Sequence, residues 1–157
     1  MIRVASEAAN TIARHAEATY PDECVGLLLG HFDGEDKVVS EAFPVENRWA
    51  GQMSLAETDD PTSRRDRFYL DPRDYMRADR AAQARALDIV GCYHSHPDHP
   101  PTPSERDRVG AQAIAGPGFA FAIQTVEAGQ ATSLASWCLL DGGEAFVEET
   151  VVIGDGG

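Results

Sequence analysis

The sequence predicts an α/β (α+β) domain in which a curved, mixed and largely antiparallel β-sheet is flanked by helices. Apolar residues recur at helical spacing in two long stretches, and short apolar or alternating runs of strand length lie between and after them. Several of those runs are joined by Asp-Gly or Gly-rich turns, as hairpins are. With 157 residues, 43% of them hydrophobic, the chain can bury one core and is too short to expect two, so 1–157 reads as a single domain.

Ser6 supplies an N-cap, and Ala9, Ile12, Ala13 and Ala16 follow at helical spacing until Tyr20-Pro21 stops the run, which predicts a first helix over 6–19. Cys24-Val25-Gly26-Leu27-Leu28-Leu29-Gly30 is a nearly continuous apolar run, the pattern of a strand covered on both faces. Asp33-Gly34 supplies a turn, and Lys37 to Phe43 reads as the antiparallel partner. From Asn47 to Arg67 neither period holds, which predicts a long surface loop, either a flap that orders on substrate or an ordinary insertion.

Phe68-Tyr69-Leu70 reads as a brief strand. Asp71-Pro72 then offers an N-cap with proline at the first helical position, opening a second helix to about Ala86 with Tyr75, Met76, Ala82 and Leu87 at or near its apolar face. Asp88 to Ser95 is the next strand, and Pro97, Pro100, Pro101 and Pro103 stiffen the connection after it. Ser104-Glu105-Arg106-Asp107 has the form of a capping box, so a third helix is expected to begin there and fade near Gly116-Pro117-Gly118. Three strands, over 119–126, 132–140 and 145–153, close the domain, and residues 154–157 read as a flexible tail.

Composition narrows the function classes. Twenty-six acidic against thirteen basic residues give a net charge of −13, which disfavours a nucleic-acid surface, since that needs clustered Lys and Arg. Lys37 is the only lysine. Cys24, Cys92 and Cys138 are odd in number and contain no Cys-x-x-Cys pair, so neither a disulfide framework nor a cysteine zinc site is expected, and a reducing compartment fits. No leader-like apolar segment opens the chain and no run approaches the length of a membrane span, so the expectation is a soluble, cytoplasmic protein.

The most informative stretch is His94-Ser95-His96-Pro97 followed by Ser104 and Asp107. On a strand, the period of two points His94 and His96 to one face, and the following turn can return the Asp107 carboxylate to them. Three protein ligands leave a fourth position open for water, which distinguishes a catalytic zinc site from a structural one. The bland reading gives the two histidines to the core or surface, and leaves Ser104 and Asp107 as helix caps. Glu23 stands where a carboxylate enters an apolar strand, either as a base beside the metal or as a solvated strand-end acid next to Asp22.

These residues, with Glu23 inside Pro21-Asp22-Glu23-Cys24-Val25-Gly26-Leu27-Leu28-Leu29-Gly30, resemble the JAMM, or MPN+ (Mov34/MPN/PAD-1), zinc metallopeptidase family, and in particular its small stand-alone bacterial members. The spacing His-x-His-x(10)-Asp is intact, and the resemblance runs from the first helix through the last strands. It implies the family's cytidine deaminase-like fold, with Zn2+ held by His94, His96 and Asp107. It further implies Glu23 as the base acting on the zinc-bound water and Ser104 as the hydroxyl that steadies the oxyanion. The function it implies is hydrolysis of a peptide or isopeptide bond after the C-terminal Gly-Gly of a small ubiquitin-like (ThiS/MoaD-like) sulfur-carrier protein.

The alternative is a protein-binding or scaffold module of MPN type that keeps a metal without hydrolytic role. A zinc nucleobase deaminase would need His-x-Glu followed by Pro-Cys-x-x-Cys, and that pair of motifs is missing from the sequence. A cysteine peptidase built on Cys24 or Cys92 is a further reading. Zinc itself is inferred from ligand type, and two imidazoles with a carboxylate also suit iron, cobalt or manganese. His99, three residues past His96, reads as solvent-facing, and Arg48, Trp49, Ser54 or Phe68 could hold a substrate tail.

Overall fold

A computed structural model describes residues 1–49, 68–104, 118–139 and 145–154. The described elements, in chain order, are β1 (Ile2–Val4), α1 (Ser6–Thr19), β2 (Val25–Asp33), β3 (Asp36–Val45), α2 (Pro72–Ala84), β4 (Asp88–Pro97), β5 (Ala120–Glu127), β6 (Gln130–Leu139), β7 (Phe146–Glu149) and β8 (Val151–Ile153). The strands form one eight-stranded sheet in the order β7-β6-β5-β4-β2-β3-β1-β8. Most neighbours are antiparallel, while β4–β5, β1–β3 and β1–β8 run parallel. The expected mixed α+β architecture is therefore what the chain adopts.

The expected last strand is two. Residues Phe146–Glu149 pair with β6 at one margin of the sheet, and Val151–Ile153 pair with β1 at the other, with only Thr150 between them. The sheet must curl until its two margins meet through that one residue, and the Thr150 carbonyl accepts from the Ile2 N–H at 2.9 Å. The β1 strand, unforeseen in the sequence because three residues carry no period, exists to pair with β8 and β3 across this seam.

The two faces of the sheet carry separate cores. On one, α1 places Ala8, Ile12 and Ala16 against Ile2, Val4, Leu28, Val39, Val90, Tyr93 and Val126. On the other, α2 places Ala78 and Ala82 against Val25, Leu27, Leu29, Cys92 and Phe121. Strands β2, β4 and β5 are covered on both faces over most of their length, which is why Cys24–Gly30 reads as a nearly continuous apolar run. Gly26, on the α1 side of β2, is required by a close approach: a Cβ there would lie 2.3 Å from the Tyr93 ring. That ring crosses β2 so that its hydroxyl can meet His15 Nδ1 on α1 at 2.8 Å.

Several local expectations change. Ala5, not Ser6, is the N-cap of α1 and offers no side-chain cap; Ser6 is the first helical residue. For α2 the reading of Asp71-Pro72 stands, with the Asp71 carboxylate accepting the Arg73 N–H at 2.8 Å. Arg73 beside it holds the Asp71 carboxyl down at about 2. Met76, expected on the apolar face, is 55% exposed, and the buried positions are Asp74, Ala78 and Ala82. Asp74 is taken inside because Arg48 and Arg77 neutralise it, at 2.8 and 3.0 Å. Phe68-Tyr69-Leu70 forms no strand. Asn47 and Trp49 are buried rather than part of a surface loop, while residues 50–67 and the expected third helix from 105 onward lie outside the described residues. Among the described residues no helix is long and apolar enough to cross a membrane.

Candidate metal centre

Strand β4 delivers the histidines at its C-terminal end. From Cys92 onward the even-numbered residues of β4 lie on the α2 side of the sheet, so His94 and His96 point there together, 2% and 6% exposed. Their Nε2 atoms face each other at 3.2 Å, with ring centroids 5.0 Å apart. Two imidazole nitrogens bound to one tetrahedral zinc at roughly 2.0–2.1 Å stand about 3.3 Å apart, so the pair already has the spacing that a shared metal imposes.

The tautomer of His96 follows from its other nitrogen. Nδ1 lies 2.8 Å from the Pro100 carbonyl, which can only accept; Nδ1 therefore carries the proton and Nε2 presents its lone pair toward His94. The loop that supplies this carbonyl is fixed from three sides. Asp98, at φ 57°, accepts from the Tyr20 hydroxyl at 2.6 Å and from the Ala128 N–H at 2.9 Å, and Trp137 Nε1 donates to the Pro101 carbonyl at 2.9 Å. The proline-stiffened loop is thus also bolted to α1 and to the β5–β6 hairpin.

Glu23 comes from the neighbouring strand. Val25 pairs with His94 in the antiparallel β2–β4 ladder, and continuing that register sets Glu23 opposite His96. Directly opposed residues share a face, so the Glu23 side chain belongs to the side of the two imidazoles, and it is 3% exposed. Cys24 and Ser95 lock the end of the ladder: the Cys24 N–H donates to Ser95 Oγ at 2.8 Å, and the Ser95 N–H to the Cys24 carbonyl at 3.2 Å. Phe68 stacks on His94 with centroids 4.6 Å apart.

The β2–β4 register therefore puts Glu23 on the face of His94 and His96, with Phe68 stacked on His94. Ser104 is exposed, in irregular chain beyond the proline loop, and Asp107 and Ser54 lie outside the described residues. Among the described residues no group of three or more His, Cys, Asp or Glu side chains is arranged to hold a metal. The donor set available, two neutral imidazoles with one tautomer fixed by a backbone carbonyl, suits a borderline-soft divalent ion such as zinc. His99 is exposed, as expected. Burial pushes the Cys24 thiol up to about 12, so it holds almost no thiolate at neutral pH and suits a core position better than a nucleophile.

Ser95, Asn47, Asp98 and Tyr20 were not singled out from sequence. Ser95 had a signal, since the residue between two same-face histidines must face the opposite core. The others act through contacts between distant segments that no local spacing encodes.

The matching family model is that of prokaryotic homologs of the JAB domain, over residues 5–139. The chain is 32% identical over 126 residues to a desampylase from Haloferax volcanii, covering 78% of each protein. It is also 32% identical over 106 residues to the human (Homo sapiens) deubiquitinase MYSM1, a match that spans 68% of this chain and 11% of that protein. Its fold is similar to that of AF2198, a JAB1/MPN domain protein from Archaeoglobus fulgidus, with a TM-score of 0.56 at 18% identity over 98% of this chain and 99% of the other. With a family model matched across most of its length and the facing imidazoles lying inside the matched region, the chain belongs to the prokaryotic JAB domain family.

Proposed function

We propose that this chain is a zinc metallopeptidase that hydrolyses the peptide or isopeptide bond after the C-terminal Gly-Gly of a small ubiquitin-like sulfur-carrier protein. The observation that carries the proposal is the His94–His96 pair, facing at 3.2 Å with the lone pair of His96 Nε2 turned toward His94, on the same face of the sheet as the buried Glu23. The likeness to a desampylase and to a deubiquitinase supports a substrate of ubiquitin type. In this reading His94, His96 and Asp107 hold the ion, the last on the strength of its spacing in the sequence. Zinc bound there supplies Lewis acidity, which brings the pKa of a coordinated water toward about 7.

The chain's own residues do the rest. Glu23 accepts the proton of the attacking water at its carboxylate, holds it, and passes it to the leaving nitrogen as the C–N bond breaks, so that the water oxygen ends on the new carboxyl group. The Ser104 hydroxyl donates to the oxygen of the scissile carbonyl as negative charge grows there, a role worth roughly 2.7–4 kcal/mol for one well-placed donor. Phe68 over His94 keeps bulk water from one side of the imidazole.

Intact mass after incubating zinc-loaded protein with sulfur-carrier proteins extended beyond Gly-Gly tests this directly. Cleavage at Gly-Gly that disappears in Glu23→Ala and in a chelated control is the expected result. A Glu23→Ala variant that keeps full activity contradicts the role of Glu23. A zinc-replete wild type that cleaves none of the carriers favours a binding module instead.

A further inference from the structure

Asn47 lies two residues beyond β3 and is 7% exposed, and its amide is used at both ends. Nδ2 donates to the backbone carbonyl of Glu23 at 2.9 Å, and Oδ1 accepts the N–H groups of Trp49 and Tyr69, each at 3.1 Å. A carbonyl can only accept and an amide N–H can only donate, so the partners themselves fix which end of the side chain is nitrogen. Three distant parts of the chain meet on this one group: the turn that carries Glu23, the start of the excursion after β3, and its return before α2. The residue before Tyr69 is Phe68, whose ring stacks on His94.

We propose that Asn47 is a positioning residue for the peptidase reaction, holding the backbone of Glu23 in register with His94 and His96 while its other end keeps Phe68 over His94. The inference rests on the function proposed above. Its physical basis is leverage. The described β2–β4 ladder ends at Val25↔His94, with the Cys24–Ser95 bonds just beyond it, and Asn47 holds the next carbonyl from the opposite side. A glutamate acts at the end of three side-chain torsions, so a small rotation at its backbone moves the carboxylate by much more. A displacement near 1 Å in a reacting group costs about a hundredfold in rate.

Asn47→Asp separates the two halves of this role. It keeps an oxygen for Trp49 and Tyr69 but sets a carboxylate oxygen against the Glu23 carbonyl in place of the donor. The expected result is a fall in kcat of about ten- to a hundredfold with KM within about twofold, unchanged zinc content, and slow amide exchange at Trp49 and Tyr69 as in the wild type. Asn47→Ala should lose the slow exchange at both amides as well. If Asn47→Asp does not fold, Asn47→Ser, whose short hydroxyl reaches at most one of the partners, carries the same kinetic expectation. A wild-type kcat in the Asp variant overturns the role of Asn47 alone. A zinc-loaded wild type that cleaves no Gly-Gly-extended carrier overturns the peptidase reading and this role with it.

Discussion

Two sets of polar side chains are buried in this sheet, and they are built on opposite rules. Around Lys37, on the α1 side of β3, every charge meets its complement. The ammonium, 2% exposed, pairs with Glu149 on β7 at 3.2 Å and approaches Cys138 Sγ on β6 at 3.5 Å. Glu149 also accepts from Ser136 Oγ and Cys138 Sγ, at 2.9 and 3.2 Å, and lies 3.7 Å from the N-terminal amine. These contacts cross the seam where the margins of the sheet meet, so their work is structural. On the α2 side, by contrast, two imidazoles face each other through their Nε2 atoms, with a buried carboxylate, Glu23, sharing their face. A buried ion pair is costly to break by removing one partner and so fixes the contacts around it, whereas two facing imidazole nitrogens can share either a proton or a metal ion. The first cluster therefore holds the fold together, and the second is the one on which the proposed chemistry rests.

Substitutions should divide along the same line. The largest effect belongs to His94→Ala and His96→Ala, which should lose zinc and bring cleavage to background while the thermal midpoint of the metal-free protein stays close to that of the metal-free wild type. Lys37→Met should do the reverse: it leaves the buried Glu149 carboxylate with only the N-terminal amine as a cation, costs up to about 3–5 kcal/mol in urea denaturation, and leaves zinc stoichiometry at one per folded chain. Adding Glu149→Leu to Lys37→Met should recover much of that loss, since a well-packed apolar replacement of a buried ion pair is often neutral.

Smaller effects sharpen the contrast between the two faces. Gly26→Ala drives a methyl into the Tyr93 ring on the α1 side and should cost about 1–3 kcal/mol, with little change in zinc affinity. The weakest effect is one of pH. Burial lowers the pKa of His15 in the folded protein, so its neutral form is favoured there, while the unfolded chain takes up the proton near 6.5. Its contribution is complete above that pH and declines as pH falls below about 6.5. Urea midpoints between pH 5 and 7.5, read as the difference between wild type and His15→Gln, should show that slope flattened in the variant.

Much of this was legible in the sequence because it depends on period and spacing. The apolar run at Cys24–Gly30, the Asp71-Pro72 cap and the alternation that aligns His94 with His96 are local properties of a strand or a helix start. The burial of Glu23 belongs with these, since a carboxylate at the mouth of an apolar strand is not simply a solvated strand-end acid. What escaped depends on closure. Strand β1 and the split of the last strand into β7 and β8 follow from the sheet curling onto itself, and nothing in residues 2–4 or at Thr150 announces it. Met76 was misplaced for a related reason: Asp74 took the inward position once Arg48, distant in sequence, was there to neutralise it. Asn47 looked like the start of a polar loop until its three backbone partners stood around it.

Native mass spectrometry of the metal-reconstituted protein tests the central claim most directly, read for wild type, Glu23→Ala, Lys37→Met and the His94→Ala/His96→Ala double variant. One zinc per chain in the first three and none in the last is the predicted result. A double variant that still carries one zinc would place the metal elsewhere and contradict the assignment of the facing imidazoles.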